Sequence, residues 1–383
     1  MKITLTAASI LYLLQLPAST QAFAPHLNTP SLSVSLSVSH QIHTNSRHPT
    51  NLAAVGKQDK YPQAGSPISE IDRRKVAPLK GVSTNVRERR EGDYDDQKFQ
   101  LEDGNVLGFD EYFTSENKSD CCIYLPNLAE SRSNLKSQMV RTYCVKTKRR
   151  FLTADWFGRG DSTGKLMEAT LSRWTSDIIE FLDGTTSDIS GGMNKRKAVF
   201  VGSGVGGWVS LLVARKRPDL VRGFIGLSVD PDFTEDLLWA ELPEEEKEAI
   251  MRDGFREITW GGRDHVYPIT SSLIVDARNH LLLRGGPKSI NVDFPIKLIH
   301  SLEDEEVPVT VPLQLVDVLN TNDIELIVPK VGGHELGDRS VMPGWIAPEA
   351  DFAVTDPPFK MELENALRVI FAKTSPPDYN YLG

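Results

Sequence analysis

The stretch Val199-Phe-Val-Gly-Ser-Gly-Val-Gly-Gly-Trp208 joins a buried strand to a helix through a turn dense in glycine. Residues 197–201 form a short apolar run rich in β-branched side chains, which is typical of a buried strand. Residues 206–215 carry apolar side chains at helical spacing, and Pro218 indicates where the helix ends. The stretch therefore predicts a strand, a tight turn and a helix in direct succession.

The turn matches a nucleophile elbow at its outer glycines and departs from it at the centre. In an elbow of the form Gly-x-Ser-x-Gly, a strained backbone lifts a serine hydroxyl above the edge of the sheet. Here the outer glycines are Gly202 and Gly206, and the central position is Gly204. Three interpretations follow: a hydrolase that uses the neighbouring Ser203, a hydrolase fold without an acyl-enzyme step, and a glycine loop that binds phosphate.

Two of these interpretations have a weakness that the sequence exposes. Ser203 precedes the central position by one residue, and one step along a strand turns a side chain to the other face. The run Gly202-x-Gly204-x-x-Gly207 fits a dinucleotide fingerprint formally, but it follows the fifth strand instead of opening the domain. No acid lies about 20 residues further on at the end of the next strand. We rank phosphate binding third.

The rest of the chain alternates strands and helices around this turn. A hairpin from residue 99 to 113 is followed by predicted strands at 121–125, 150–156, 197–201, 221–229, 296–302 and 324–330, with helices at 132–147, 170–182, 206–216, 311–319 and 360–373. This order predicts an α/β fold with a mostly parallel sheet and helices on both faces. The interruption at 230–294 follows the sixth strand, and we interpret it as a cap insertion above the carboxyl edge of the sheet.

The first 58 residues have the composition of a presequence. Lys2 precedes an apolar run centred on residues 10–16, which indicates a signal peptide because it is too short to span a bilayer. Residues 23–58 contain no Asp or Glu, as is typical of an organellar transit peptide. The two parts in this order predict delivery to a plastid, with mitochondrial import or secretion as alternatives. We expect a disordered linker at 59–97, the α/β domain at 98–374 and a tail at 375–383.

Composition narrows the possible partners. The chain has 383 residues, of which 40% are hydrophobic and 25% charged, as is ordinary for a globular protein. A net charge of −9 argues against nucleic acid as a partner. The cysteines Cys121, Cys122 and Cys144 are too few for a disulfide framework and predict reduced core thiols. No His, Cys or Asp cluster has metal-ligand spacing, so we predict no metal. The apolar run near the amino terminus is too short to span a bilayer, so we predict no stable membrane span.

An acid and a histidine follow the elbow at the ends of later strands. Asp304 stands where the strand at 296–302 breaks into an acidic loop, and His334 follows the strand at 324–330 behind two glycines. Hydrolases of the elbow type have their triad in the chain order nucleophile, acid, histidine. An aspartate fixes the histidine tautomer and stabilises the imidazolium, which is why this chemistry requires the pair.

The region from about residue 99 to 371 resembles the α/β-hydrolase superfamily, and within it the branch of mitochondrial palmitoyl-protein thioesterases and acyl-glucuronide esterases. The resemblance is carried by Leu125-Pro-Asn-Leu128, Asp155-Trp-Phe-Gly-Arg-Gly-Asp-Ser162, Thr170-Leu-Ser-Arg-Trp174 with Asp177, residues 201–208, His300 to Pro308, and His334.

That resemblance implies a cofactor-free enzyme acting on small acyl esters or on acyl-protein thioesters. It implies Asp304 as the triad acid, His334 as the base, and the backbone N–H groups of Leu128 and Val205 as the oxyanion hole. Two positions depart from the family: Gly204 replaces the nucleophile, and Asn127 replaces a glycine of the oxyanion loop. The alternative is therefore an inactive hydrolase fold that binds a small acyl ligand or serves as a scaffold.

Overall fold

The computed structural model describes residues 2–5, 79–80, 91–114, 117–128, 130–186, 197–259, 266–337 and 359–375. These residues form a ten-stranded sheet in the order β1-β10-β9-β8-β7-β5-β6-β4-β3-β2. Its strands are β1 (Lys2–Leu5), β2 (Leu79–Lys80), β3 (Gly92–Gln100), β4 (Val106–Phe113), β5 (Asn117–Leu125), β6 (Arg149–Ala154), β7 (Ala198–Ser203), β8 (Val221–Leu227), β9 (Ile296–Ile299) and β10 (Ile324–Val328).

The sheet is parallel except at one strand. β4 pairs antiparallel with both β3 and β6, and the remaining neighbours pair in parallel. All six residues of β7 are buried, as expected of a central strand that is covered on both faces. The carboxyl ends of β5, β7, β8, β9 and β10 meet at one edge, so the loops that follow them converge there.

Helices cover both faces, which confirms the predicted α/β class. They are α1 (Leu135–Lys146), α2 (Leu171–Thr186), α3 (Val205–Lys216), α4 (Glu244–Asp253), α5 (Ser271–Ala277), α6 (Thr310–Val318) and α7 (Lys360–Thr374). One core layer contains α1 and α7, with Val140 and Leu367 fully buried. The opposite layer contains α2, α3 and α6, with Trp174 and Trp208 in the core as the sequence predicts.

The buried cysteines match their prediction. Cys121 and Cys122 are neighbours on β5 and face opposite core layers, and Cys144 lies on α1. All three are free thiols. Burial raises the pKa of the Cys121 thiol to about 11, so this sulfur stays protonated and unreactive at neutral pH.

The insertion between β8 and β9 forms a cap with its own apolar centre. It contains a π-helix (Thr234–Trp239), α4, a ribbon of Phe255–Thr259 paired with Val266–Thr270, and α5. Leu238, Ile250, Ile269 and Ile274 pack together inside it. The buried Asp232 carboxylate accepts hydrogen bonds from the N–H groups of Leu282 at 2.7 Å and Leu283 at 2.9 Å, which ties both ends of the cap together.

The amino-terminal boundary of the fold differs from the sequence prediction. β3 begins at Gly92, within the segment predicted as a linker, where it pairs antiparallel with β4 and its acidic side chains pair with arginines of the domain. Asp93 and Asp95 pair with Arg141 at 2.6 and 2.7 Å, and Asp96 pairs with Arg132 at 2.7 Å. The charge run that suggested a solvated linker is thus a strand.

The two short amino-terminal strands also lie within segments expected to be outside the fold. Lys2–Leu5 pairs in parallel with β10, and Leu79–Lys80 pairs in parallel with β3. The rest of the predicted presequence, the linker before residue 91 apart from β2, and the tail after residue 375 lie outside the described residues.

Candidate active site

The turn after β7 has elbow geometry with a glycine at its tip. Gly204 has φ 48° and ψ −121°, in the left-handed half of backbone space that side chains rarely adopt. Gly206 lies directly against Leu125, and a Cβ there would overlap the backbone at the end of β5. The elbow is therefore in the register that the outer glycines predict, with Gly204 at the tip.

Ser203 is buried below the elbow and faces away from the histidine. It is 1% exposed, and its hydroxyl lies 3.4 Å from Oε1 of Glu130, to which it donates. A residue that ends a strand one step before the tip has this orientation because side chains alternate between faces. Ser203 thus has a structural partner, and the structure does not bring it together with His334.

Asp304 and His334 meet at the carboxyl edge of the sheet. Oδ2 of Asp304 lies 3.0 Å from Nδ1 of His334, and both side chains are almost fully buried. The other carboxylate oxygen, Oδ1, accepts hydrogen bonds from the N–H groups of Glu306 at 3.0 Å and Val307 at 2.8 Å. The loop after β9 thereby fixes the carboxylate, and the carboxylate fixes the imidazole.

The charges of this pair stabilise one another. Burial alone lowers the pKa of His334, but the charge and hydrogen bond of Asp304, with Glu306 and Glu335 nearby, outweigh it and raise that pKa to about 10. Burial raises the pKa of Asp304, but His334 outweighs it and holds that pKa below its usual value. An imidazole beside a fixed carboxylate is the arrangement that accepts a proton from a nucleophile.

The backbone N–H groups of Leu128 and Val205 converge on a single oxygen atom. Leu128, in the loop after β5, donates at 2.7 Å, and Val205, at the start of α3, donates at 3.2 Å. The acceptor is Oδ1 of the Asn127 side chain. Two donors aimed at one point have the geometry of an oxyanion hole, and here a residue of the chain itself fills that hole.

The Asn127 carboxamide also contacts the histidine. Its Nδ2 lies 3.1 Å from Nε2 of His334. Because two N–H donors fix which end of the carboxamide is oxygen, the amine end faces the imidazole and Nε2 must accept. This contact favours the neutral ring with its proton on Nδ1 toward Asp304, and so opposes the effect of Asp304, which favours the charged ring. From the sequence, Asn127 could be identified only as a residue that replaces glycine, and no sequence pattern predicted its contact with His334.

A buried ionic cluster holds the oxyanion loop from below. Oε2 of Glu130 accepts a hydrogen bond from the Asn127 backbone N–H at 2.8 Å. Lys136 of α1 bridges the carboxylate of Glu130 and that of Glu335, the latter at 2.7 Å. Glu335 follows His334 in the chain, so the cluster connects the oxyanion loop to the histidine loop. Sequence reasoning missed these three residues because their pairing spans about 200 positions.

A small cavity lies between the elbow and the cap. It has a volume of about 30 Å³, more than the minimum that one water molecule needs. Its wall combines Asn127, His334, Glu306 and Asp230 with the apolar cap residues Phe233, Leu238, Ile258, Tyr267 and Ile269. The cap therefore covers the site.

Beside the cavity an acidic groove of about 940 Å³ runs between α4, the cap ribbon and the loop after β9. Carboxylates on its walls, among them Glu241, Glu245 and Glu305, disfavour anionic compounds at its surface.

Other candidate sites have local structural partners. Asp155 pairs with the buried Arg132 and accepts from the Asp161 N–H at 2.9 Å, as a turn acid does. Nε2 of His280 lies 2.6 Å from the Ser172 hydroxyl, which links the turn after α5 to α2. His265 lies outside the described residues.

The start of α3 does not support phosphate binding. The Gly204 N–H donates to Leu227 at 3.0 Å and the Gly207 N–H donates to Gly204 at 2.8 Å, so these amides have partners within the chain.

In the described part of the chain, no group of three or more His, Cys, Asp or Glu side chains could hold a metal ion. The helices among those same residues include none with the length and apolar character to cross a bilayer.

The chain is similar in sequence to known thioesterases. No protein-family model matches the chain. The mitochondrial palmitoyl-protein thioesterase ABHD10 of Mus musculus is 28% identical over 229 residues, which are 60% of this chain and 73% of that protein. The Homo sapiens protein of the same name is 28% identical over 230 residues, 60% of this chain and 71% of that protein.

Solved structures show the same fold. A hydrolase-type protein of Agrobacterium vitis has a TM-score of 0.60 at 21% identity, over 74% of this chain and 99% of that one. Mouse α/β hydrolase domain-containing protein 10 has a TM-score of 0.57 at 22% identity, over 72% and 98% of the two chains. The predicted α/β-hydrolase fold is confirmed, and so is the predicted resemblance to the thioesterase branch.

Proposed function

We propose that this protein is an α/β-hydrolase-fold relative of acyl thioesterases and carboxylesterases that has lost the acyl-enzyme step and binds an acyl compound at its site without efficient turnover. The observation that carries the proposal is Gly204 at the tip of an otherwise complete elbow. The Asp304–His334 pair and the two converging N–H groups remain around it.

Acyl transfer by a serine hydrolase requires an oxygen nucleophile between the base and the oxyanion hole. The hydroxyl attacks the acyl carbon, its proton passes to Nε2 of the histidine, and the carbonyl oxygen becomes an oxyanion held by two N–H groups. With Gly204 at the tip, the elbow places no hydroxyl between the base and the hole. Ser203 donates to Glu130 on the other side of the strand, so it does not supply one.

Direct attack by water is a second route, and the contacts of His334 disfavour it. A general base needs a free lone pair on Nε2 within hydrogen-bond reach of the water. That lone pair accepts from Nδ2 of Asn127 at 3.1 Å. Water attack therefore requires Asn127 to move first, and we expect hydrolysis to be slow.

The substrate class follows from the relatives and from the wall of the site. The ABHD10 proteins are named palmitoyl-protein thioesterases, which supports an acyl ester or acyl-protein thioester as the ligand. The apolar cap residues on the cavity wall favour an acyl group, and a cavity of about 30 Å³ admits a long acyl chain only when the cap moves. The carboxylates of the neighbouring groove disfavour an anionic leaving group.

A labelling experiment tests the loss of the acyl-enzyme step. We expect no covalent labelling of the wild-type protein by a fluorophosphonate, and slow or no hydrolysis of short acyl thioesters. Binding of the same thioesters, followed by ligand-detected NMR, should persist and weaken when the cap residue Phe233 is changed to Ala. Rapid labelling at Ser203 would contradict the proposal, and absence of thioester binding would leave only a scaffold role.

We also infer that residues 1–58 direct the protein to an organelle, with the plastid as the destination. The curated relatives are named mitochondrial, which supports an organellar address in general. The plastid is favoured by a signal-type apolar run ahead of an acid-free segment. A fluorescent reporter fused behind residues 1–60 should enter plastids, and replacement of Phe23 should divert it. Uptake by mitochondria or secretion of the reporter would refute the plastid assignment.

A further inference from the structure

We propose that the Asn127 side chain is an internal ligand of the site, which fills the oxyanion hole and the space of a nucleophile side chain, so that Asn127 and Gly204 silence the elbow as a pair. This inference rests on the proposed function, because it explains how the site is kept from turnover. It predicts that replacing Gly204 alone does not restore chemistry.

The first argument is the pattern of hydrogen bonds around Asn127. Oδ1 accepts from Leu128 and Val205 at 2.7 and 3.2 Å, and Nδ2 approaches Nε2 of His334 at 3.1 Å. A tetrahedral intermediate would use the same three groups, with its oxyanion on the two N–H groups and a neighbouring atom on the histidine. The carboxamide satisfies all three without a substrate.

The second argument is steric. A Cβ built on Gly204 would overlap Cγ, Oδ1 and Nδ2 of Asn127, each well under 3.0 Å away. A serine at position 204 therefore cannot take the elbow conformation unless the carboxamide leaves. Glycine at the tip and asparagine in the loop are mutually compatible, whereas Asn127 in this rotamer excludes a side chain at position 204.

The third argument is that the carboxamide is held in place. Asn127 is 7% exposed. Its backbone N–H donates to the buried Glu130 at 2.8 Å, which fixes the main chain of the residue. An acyl carbonyl that binds in the hole must therefore displace a side chain that is already hydrogen-bonded at both ends.

Four proteins test the pairing: wild type, Asn127→Gly, Gly204→Ser and the double variant. We expect fluorophosphonate labelling to be fast only in the double variant, with a rate 10²-fold or more above that of Gly204→Ser. Restoring a nucleophile beside a working general base raises reaction rates by at least this order. His334→Ala in the double background should abolish labelling. Ser172→Ala in that background should leave it unchanged, because this serine lies beside a different histidine. Circular dichroism should show all variants folded.

Acetamide provides a second measurement that needs no nucleophile. It carries the same carboxamide as Asn127, so we expect it to bind Asn127→Gly at roughly millimolar concentration and not to bind the wild type. Saturation-transfer NMR of the acetamide methyl group would follow this binding, and sodium chloride at equal concentration is the matched control.

The outcomes separate this inference from the proposed function. Equal labelling of Gly204→Ser and of the double variant would overturn the inference and leave the proposed function intact. Equal binding of acetamide to wild type and Asn127→Gly would overturn it as well. Labelling of the wild type at Ser203 would overturn the proposed function, whatever the four-protein comparison gives.

Discussion

The contacts at the two ring nitrogens of His334 have opposite effects on its pKa. Asp304 at Nδ1, with Glu306 and Glu335 nearby, raises the pKa of His334 to about 10 against the effect of burial. Nδ2 of Asn127 at Nε2 acts in the other direction, because a donor at that nitrogen stabilises the neutral ring. The seating of Asn127 in the oxyanion hole therefore opposes protonation of His334, and Asp304 favours it.

Replacement of Asn127 by Ala should raise the pKa of His334. Loss of one hydrogen bond to the neutral ring changes its free energy by about 0.5–1.5 kcal/mol, which corresponds to roughly 0.5 to 1 pH unit. Nitrogen NMR of the imidazole over an alkaline titration measures the change, and His280, with a pKa lowered by burial, is the internal control. A lower pKa for His334 in the variant would show that Nε2 does not accept from Asn127.

The buried carboxyl group of Asp230 destabilises the folded state when it is ionised at neutral pH. Its side chain is 7% exposed at the end of β8, and Oδ1 has no hydrogen-bond partner among the described residues. Burial, with Glu306 nearby, raises its pKa well above the usual value, although His334 opposes this. The folded state thus holds the proton of Asp230 to higher pH than the unfolded chain does.

Asp230→Asn should therefore stabilise the protein more at pH 8 than at pH 4. Stability that depends on a raised carboxyl pKa is present at low pH and is lost as the pH rises through that pKa. The amide removes this dependence at constant volume. Thermal unfolding at the two pH values measures it, with Asp103→Asn, whose pKa is lowered by Arg173 and Asn105 despite the opposing effect of burial, as a control of opposite sign. Equal stabilisation at both pH values would contradict the assignment.

At the scale of single residues, the sequence predicted positions better than contacts. Asp304 and His334 could be found because strand order fixes which loops meet, and each side chain follows its strand directly. Asn127 stood out as a substitution, but its seating depends on a rotamer and on the width of the gap above Gly204. Those are properties of packing, and no periodicity in the chain reports them.

Helix α1 connects the two halves of the site through one lysine. Lys136 is 1% exposed and pairs with Glu130 and Glu335, which are also buried. Burial lowers its pKa, but the two carboxylates outweigh that and hold it above its usual value. The helix thus positions both the oxyanion loop and the histidine loop.

Lys136→Met should destabilise the protein by about 3–5 kcal/mol, because it leaves two buried carboxylates without their cation. Urea unfolding monitored by tryptophan fluorescence measures the change. Lys165→Met is the matched control: its partner Glu168 lies 3.6 Å away with both side chains more than half exposed, and we expect an effect within about 0.5 kcal/mol. Equal effects of the two substitutions would show that Lys136 does not stabilise the protein by compensating the charges of Glu130 and Glu335.

Element bounds followed the sequence closely where apolar periodicity was strong. Helix α3 was predicted from 206 to 216 and runs from Val205 to Lys216. The first strand of the hairpin was predicted to begin at residue 99, whereas β3 begins at Gly92. Its start was misplaced because acids dominate its first half and pair with arginines about 40 residues further along. A run of charged residues resembles a solvated linker when the residues that form ion pairs with it lie far away in the sequence.

At the scale of the whole molecule, the strands that carry the site lie together in the sheet, and the strands at one end of the order carry no site residue. Strands β5, β7, β8, β9 and β10 deliver Asn127, Gly204, Asp230, Asp304 and His334 to the same edge, as open parallel sheets do. The opposite end of the order, β4 with β3 and β2, carries none of these groups. We therefore expect β2, β3 and β4 to contribute to stability and not to the site.

This division gives a prediction about where the domain begins. A chain that starts at residue 91 should fold with nearly full stability, since it keeps β3 and the hydrogen bond of 2.8 Å from the Tyr112 hydroxyl to Glu91. A chain that starts at residue 98, the boundary that composition predicts, loses the pairing of Gly92, Asp93 and Tyr94 with β4 and three acids that pair with arginines.

We expect the 98-start chain to unfold about 2–4 kcal/mol more easily than the 91-start chain, from several lost strand hydrogen bonds at roughly 0.5–1.5 kcal/mol each. Urea unfolding of both chains measures the difference. Thioester binding by the folded fraction should be equal in the two chains, because no residue of β3 reaches the site edge. Equal stability would place the boundary at 98 after all, and weaker binding by the shorter chain would show that β3 supports the site as well as the sheet.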